Sequence, residues 1–244
     1  MNLSRLKNNK NLNTDKKISF YFDGKKFFGF RGDTLASALL YNNIHLVGRS
    51  FKYHRPRGFL SAGSEEPNGI VQLEKGNLTE PNRRATEVLI YEGLTATSQN
   101  RWPNIKFDFG AINDWLSPLF PAGFYYKTFM WPASFWKKYE FFIRHAAGLG
   151  KAPKSDDPYL YEHYHYHCDT LIVGSGVSGL YAAEMLTKQG LKVLLVEQED
   201  ELGGSLLADQ NIEKQINNLT LIEWKDKIVN NLKLKNNIKI IKST

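Results

Sequence analysis

Residues 169–204 read DTLIVGSGVSGLYAAEMLTKQGLKVLLVEQEDELGG, and their types and spacing point to the binding of phosphate and ribose. Gly174, Gly176 and Gly179 make a G-x-G-x-x-G turn between a short apolar run at 171–173 and a helix-patterned segment carrying Leu180, Ala183 and Leu186. The first glycine permits a tight turn, the second lets a pyrophosphate approach backbone without meeting a Cβ, and the third lets helix and strand pack closely. Free N–H groups at the helix start, from Ser175, Val177 and Ser178 onward, then face the phosphates. Glu197 closes the next apolar run about twenty residues beyond the glycines, where a carboxylate accepts both hydroxyls of an adenosine ribose. A 2′-phosphate would be repelled there and no arginine follows within reach, so the unit is expected to take NAD or FAD rather than NADP. Gly203 and Gly204 allow the backbone to fold back over the adenosine, and Ser205 offers a hydroxyl and an N–H. Glycines that serve packing alone would give the same turn, but here the turn follows a strand, opens an amphipathic helix and is answered by an acid.

The remaining sequence must hold that unit in place. At 244 residues the chain is long enough for about two domains, and its apolar and charged fractions are those of a soluble globular protein. Cys168 is the only cysteine, so this chain alone can build no intrachain disulfide, iron–sulfur cluster or cysteine-based zinc site, and a reducing, cytoplasmic setting is expected. The first residues are rich in Lys and Asn without an apolar h-region, and no apolar run approaches membrane-spanning length, so no membrane partner is expected. The formal charge of +7 is spread along the chain without a nucleic-acid motif and reads as solubility rather than nucleic-acid binding.

Residues 1–16 read as a mobile polar tail, and 17–95 as a small hairpin, helix and strand domain in β-grasp order. Ile18, Phe20 and Phe22 alternate, Asp23-Gly24 supplies turn chemistry, and Phe28 and Phe30 return on a second strand. Asp33 is the expected N-cap of a helix that carries Leu35, Ala38 and Leu39 on one face and stops at Asn42-Asn43. Further strands are expected at 69–73 and 86–91. Between these elements Arg49, Lys52, His54, Arg55 and Arg57 form a basic loop stiffened by Pro56. That loop could capture an anionic group, dock on an acidic partner, or simply be solvated.

Residues 96–165 read as an aromatic-rich linker or interface segment, with Phe120, Phe124, Tyr125, Tyr126, Phe129, Trp131, Phe135, Trp136, Tyr139, Phe141 and Phe142 crowded together. Lys127, Lys137, Lys138, Glu140 and Arg144 do not gather on one face, which favours packing against another domain or subunit, and next packing within this chain's own core, over a membrane surface. His163, His165 and His167 alternate before Cys168, yet no carboxylate or further cysteine completes a shell, so no metal site is expected. Residues 166–244 form the dinucleotide domain, with an amphipathic helix over 211–233 and a third strand at Ile238–Ile241. Three strands make half a doubly wound sheet, so a partner or a longer protein is expected to complete it.

The segment GRSFKYHRPRGFLSAGSEEPNGIVQL at 48–73, with the glycine turn, Glu197 and Gly203-Gly204, resembles the α subunit of heterotetrameric sarcosine oxidases. The resemblance runs from about residue 17 to the end and implies a ferredoxin-like β-grasp domain followed by an incomplete Rossmann-like domain. In related amine and cyanogenic dehydrogenases a similar basic motif leads into cysteines that hold a two-iron, two-sulfur cluster, whereas here it leads into SAGSEEPNGIV. By resemblance, NAD lies against Gly174, Ser175, Gly176, Val177, Ser178, Gly179, Glu197, Gln198, Glu199, Gly203, Gly204 and Ser205, and this chain carries no catalytic residue. The resemblance further implies β, γ and δ partner subunits, FAD and FMN in the complete complex, and tetrahydrofolate as co-substrate of a C-terminal region beyond this sequence. The complex would convert sarcosine and oxygen into glycine, a methylene-folate or formaldehyde, and hydrogen peroxide, and this chain alone is expected to be inactive. A part of another flavin-linked amine dehydrogenase and a non-catalytic nucleotide-binding assembly module are the competing readings.

Overall fold

The computed structural model describes residues 13–119, 131–146, 148–207 and 214–243. The chain divides into two compact units, Met1–Leu160 and Tyr161–Thr244, each with its own apolar core.

In the first unit β1 (Asn13–Phe22) and β2 (Lys25–Arg31) form an antiparallel hairpin. Residues 1–12 of the expected tail lie outside the described residues, and the rest of it belongs to β1. Asp23 and Gly24 take positive φ, 48° and 77°, as a two-residue type I′ turn requires. That turn sets Phe20 opposite Phe27, and because side chains alternate, Phe27 and Gly29 face the core while Phe28 faces solvent.

Helix α1 (Leu35–Tyr41) carries Leu35, Ala38 and Leu39 into the core and stops at Asn42-Asn43, Asn43 taking a φ of 61°. Its N-cap is Thr34, whose Oγ1 accepts from the Ser37 N–H at 3.2 Å. Asp33, the expected cap, does a different job. It is fully buried and accepts from the Phe30 N–H at 2.8 Å and the Ser37 hydroxyl at 2.7 Å, tying the hairpin to the helix.

A short ribbon of β3 (Gly48–Arg49) and β4 (Pro56–Arg57) follows. Then β5 (Ile70–Leu73), β6 (Glu80–Arg84) and β7 (Thr95–Ser98) complete a sheet of order β2-β1-β7-β5-β6. β7 runs parallel to β1 in the middle of it, the β-grasp arrangement. Residues 86–91, expected as a strand, instead form a turn and one isolated bridge from Leu89 to Thr34. Their alternating Val88 and Ile90 are buried, and their backbone docks on the start of α1 through Leu35 N–H to Val88 O and Ile90 N–H to Asp33 O. The place beside β1 goes to Thr95–Ser98. The short α2 (Ile112–Trp115) and α3 (Trp136–Ala146) complete the described part of this unit.

The second unit runs β8 (Thr170–Val173), α4 (Val177–Lys188), β9 (Val193–Val196), a hairpin of β10 (Gln215–Ile216) and β11 (Leu219–Thr220), α5 (Leu221–Lys233) and β12 (Ile238–Ile241). The helix expected over 211–233 begins only at Leu221, where Thr220 and Glu223 make a reciprocal capping box. The hairpin takes 215–220, and 211–213 lie outside the described residues. The three strands are parallel in the order β12-β9-β8. Leu180, Ala183, Leu195, Trp224, Ile228 and Leu232 form the core between the sheet and the helices. On the other face Leu171 and Val173 are 55% and 78% exposed.

Asp33→Ala is expected to cost the first unit about 2–3 kcal/mol, because it removes a buried carboxylate hydrogen-bonded to both the hairpin and the helix, whereas Thr34→Ala removes one cap worth about 1 kcal/mol. Urea unfolding of the two variants measures the difference. A larger loss for Thr34→Ala would show that the cap, not the buried carboxylate, holds the helix start.

Candidate functional site

Each of the three glycines of the 174–179 turn meets a distinct steric requirement. Gly174 has a φ of 91°, which an L side chain rarely adopts. A Cβ at Gly179 would run into the Gly174 carbonyl oxygen, so helix and turn pack at backbone contact. A Cβ at Gly176 would meet nothing within 4 Å, so the space over the second glycine is open. Gly176 is also the N-cap of α4 and supplies no side-chain cap, which leaves the first-turn N–H groups available to an anion.

Glu197 directly follows β9 and is buried. Its carboxylate accepts the Ser175 N–H at 2.7 Å, the Ser175 hydroxyl, and the Glu199 N–H at 3.2 Å. Burial alone would raise its pKa, but the hydrogen bonds from the Ser175 hydroxyl and from backbone N–H groups outweigh burial and hold it below the usual carboxylate range. Glu197 is therefore an anion whose position is fixed by the glycine turn. Ser175 is itself fully buried, and its Oγ also accepts the Gly203 N–H at 3.0 Å. One hydroxyl thus links the glycine turn, the acid and the second glycine pair.

Gly203 and Gly204 have φ of 139° and 53°, and a Cβ on Gly204 would come within 3.2 Å of Gly176 Cα. The two glycine segments touch, so the chain after Glu197 does fold back over the turn. Gln198 and Ser205 are exposed near this rim, as are Val177 and Ser178 at the helix start, and Gln198 Nε2 donates to Glu199 at 3.3 Å. Lys225 was not legible as a site residue. Its stem lies under Gly203, and its Nζ pairs with Glu201 at 3.2 Å and Asp226 at 3.0 Å, holding the 201–204 turn against α5. Burial would lower the pKa of Lys225, but the two carboxylates outweigh it and raise it. In sequence it reads only as one lysine of an amphipathic helix.

The basic loop is tied to its own unit through three of its side chains, while Arg57 stays exposed. Arg49 donates to the Ile105 carbonyl through Nε at 2.9 Å and Nη2 at 2.6 Å, and to the His54 carbonyl at 3.0 Å. His54 Nδ1 meets Asp108 at 2.6 Å, and Arg55 meets Asp114 at 2.6 Å. Asp108 also accepts the Trp102 and Gly110 N–H groups. Burial opposes ionisation of Asp108, but these donors, His54 first, outweigh it and lower its pKa. Three of the five basic residues thus clamp the loop to the 102–114 segment of the same unit.

Of the aromatic segment, Phe120, Phe124, Tyr125, Tyr126 and Phe129 lie outside the described residues. Trp131 and Phe142 are 81% and 69% exposed, and Trp115 in α2 is 81% exposed. His163, His165 and His167 are exposed in an extended run, and among the described residues no group of three or more His, Cys, Asp or Glu gathers in metal-binding geometry. Among the described residues no helix is long and apolar enough to cross a membrane.

The two units together define a class: a ferredoxin-type domain followed by a Rossmann-like NAD-binding domain. A family described as 2Fe-2S iron-sulfur cluster binding domains matches residues 15–101, and one described as NAD(P)-binding Rossmann-like domains matches 172–219. The chain is a homologue of the N-terminal portion of sarcosine oxidase α subunits. It is 58% identical over 193 residues to the sarcosine oxidase subunit alpha of Rhizobium meliloti (strain 1021), covering 79% of this chain and 20% of that one. It is 30% identical over 224 residues to the subunit alpha of Corynebacterium sp. (strain U-96), covering 91% of this chain and 18% of that one. The chain thus spans about a fifth of the length of these relatives. The crystal structure of L-proline dehydrogenase from P. horikoshii shares the fold, with a TM-score of 0.53 at 20% identity over 93% of this chain and 33% of that one. The cluster named in the family description does not fit this chain, because no cysteine stands between residues 15 and 101.

Since the folded pKa of Glu197 is depressed, its contribution to stability is present above the unfolded value and is lost as pH falls through the folded one. Wild type is therefore expected to exceed Glu197→Gln in stability at pH 7, with the gap closing below about pH 4. Thermal unfolding across pH checks this, and a gap that widens in acid would contradict it. Gly179→Ala should cost about 1–3 kcal/mol from overpacking against the turn, read by the same unfolding measurements.

Proposed function

We propose that this chain is the N-terminal part of a sarcosine oxidase α subunit and that its second unit holds NAD within a flavin-dependent complex. The observation that carries the reading is the anionic Glu197, fixed at 2.7 Å on the Ser175 N–H beside a glycine turn with open space over Gly176. NAD fits that arrangement, since a Cβ at residue 176 would fill the space a pyrophosphate needs. When bound, NAD brings an adenosine ribose with two free hydroxyls and a nicotinamide able to take hydride.

In this reading the residues of the chain bind and orient. The first-turn N–H groups of α4, at Val177, Ser178 and Gly179, take the pyrophosphate, and Gly174 and Gly176 keep that approach clear. Glu197 accepts the ribose hydroxyls and excludes a 2′-phosphate by charge. Ser175 holds the carboxylate in place from behind, while Gly203, Gly204 and Ser205, with Gln198 and Glu199, close the rim. No residue of this chain is assigned a catalytic role, so the chain alone is inactive.

At the level of the complex, we assign the oxidation of sarcosine by oxygen to glycine and hydrogen peroxide: with tetrahydrofolate the one-carbon unit leaves as a methylene-folate, and with water in its place it leaves as formaldehyde. FAD, FMN and the tetrahydrofolate site are placed in the β subunit, at a subunit interface and in a C-terminal α region respectively. The exposed Trp115, Trp131 and Phe142, and the uncovered Leu171 and Val173, support burial against the rest of such an assembly with β, γ and δ subunits. The single cysteine supports a cytoplasmic setting.

The test is co-expression of the complete α reading frame with the partner subunits, followed by assay of the nucleotide released on denaturation. Wild-type complex should release about one NAD per α subunit, and Glu197→Ala should retain at least about tenfold less, a loss of 1.4 kcal/mol or more. A complex that assembles and oxidises sarcosine without NAD would refute the cofactor assignment. A complex that holds NAD but does not oxidise sarcosine would refute the substrate assignment alone.

A further inference from the structure

The loop between β4 and β5 is where the first unit departs from a cluster-binding domain. Plant-type clusters are held by three cysteines spaced C-x4-C-x2-C and a fourth from elsewhere in the chain. Residues 61–69 carry that spacing without sulfur: Ser61, Glu66 and Gly69 occupy the three positions. From beyond β6 the Thr86 hydroxyl reaches into the same loop and donates to the Gly63 carbonyl at 2.6 Å, so a residue distant in sequence also meets it.

Glu66 fills the loop. It is 1% exposed, and its carboxylate collects four backbone donors: Leu60 and Ser61 N–H on one oxygen, each at 2.8 Å, and Asn68 and Gly69 N–H on the other, at 2.7 and 3.0 Å. A cluster with its thiolates is likewise an anion that draws hydrogen bonds to its sulfurs. The space for a ligand at residue 69 is also taken. A Cβ there would meet the Phe59 ring at 2.6 Å, and Phe59 packs on the core of the unit. The Ser61 hydroxyl is buried with no hydrogen-bond partner.

We infer that Glu66 is a resident anion that stands in for the iron–sulfur cluster, so that the loop keeps its inward-pointing amides around a carboxylate and the domain is redox-silent. The cluster has been replaced, not merely lost: a loop of converging N–H groups needs a negative centre, and a side chain supplies it. The role of the first unit is then structural, presenting a rigid loop surface without carrying electrons.

The test uses the full chain as wild type, as Glu66→Gln, and as a variant combining Ser61→Cys, Glu66→Cys, Gly69→Cys and Thr86→Cys with Phe59→Ala. Glu66→Gln turns two acceptor positions into a donor. Exchange of the Leu60, Ser61, Asn68 and Gly69 amides is expected to quicken at least about tenfold, and the melting temperature of the unit to fall by about 5 °C or more. On anaerobic incubation with ferrous iron and sulfide, wild type should take up no stoichiometric cluster, while the cysteine variant should gain about two irons with the paramagnetic signal of a reduced cluster. Unchanged exchange in Glu66→Gln, a cluster assembled on wild type, or a folded cysteine variant that assembles none would each overturn the inference. Should the cysteine variant fail to fold, the amide exchange of Glu66→Gln decides alone.

Discussion

A carboxylate taken out of water must be surrounded by donors or give up its charge, and both units of this chain are built on that constraint. In the second unit Glu197 is held by Ser175 and the backbone at residue 199, and this contact joins the end of β9 to the glycine turn before α4. In the first unit Glu66 and Asp108 gather N–H donors from their own loops, and Asp33 gathers donors from the hairpin and helix on either side of it. Loops that would otherwise present unpaired amides are thereby fixed without regular secondary structure.

The same device has opposite consequences in the two units. Around Glu66 the donors are used up by the protein itself, and the loop is closed to an external ligand. Around Glu197 one face of the turn is used and the other is left open: the space over Gly176 is empty and the first-turn amides of α4 have no side-chain cap. The loop of the first unit is thus filled by its own side chain, whereas the turn of the second keeps an open approach. The first unit presents exposed aromatic side chains, and the second an uncovered apolar strand face.

What was legible in the sequence was local. The Asp23-Gly24 turn, the apolar face of α1, the glycine turn and the acid after β9 all follow from neighbouring residues, and the structure puts each on the turn, helix or strand edge that the sequence marks. What was not legible depended on contacts far along the chain. Asp33 and Thr34 are both good caps, and only the packing of the hairpin against the helix decides that Asp33 is buried. Residues 86–91 and 95–98 both have strand character, but parallel pairing with β1 selects the second. Arg49 and Arg55 read equally as anion-capturing, docking or solvated residues, and only the distant 105–114 segment shows Arg49 bound to the Ile105 carbonyl and Arg55 paired with Asp114. Lys225 and Glu66 carry no local signal of their roles, because each acts on a backbone turn that the sequence does not announce.

The pairing of Glu197 with the glycine turn makes one binding property directly measurable. Titrating the full chain with NAD and with NADP by calorimetry compares two ligands that differ only in a 2′-phosphate, the group that would lie against the fixed carboxylate. NAD is predicted to bind at least about 100-fold more tightly, a difference of about 2.7 kcal/mol. Equal affinities, or a preference for NADP, would contradict the placement of an adenosine ribose on Glu197.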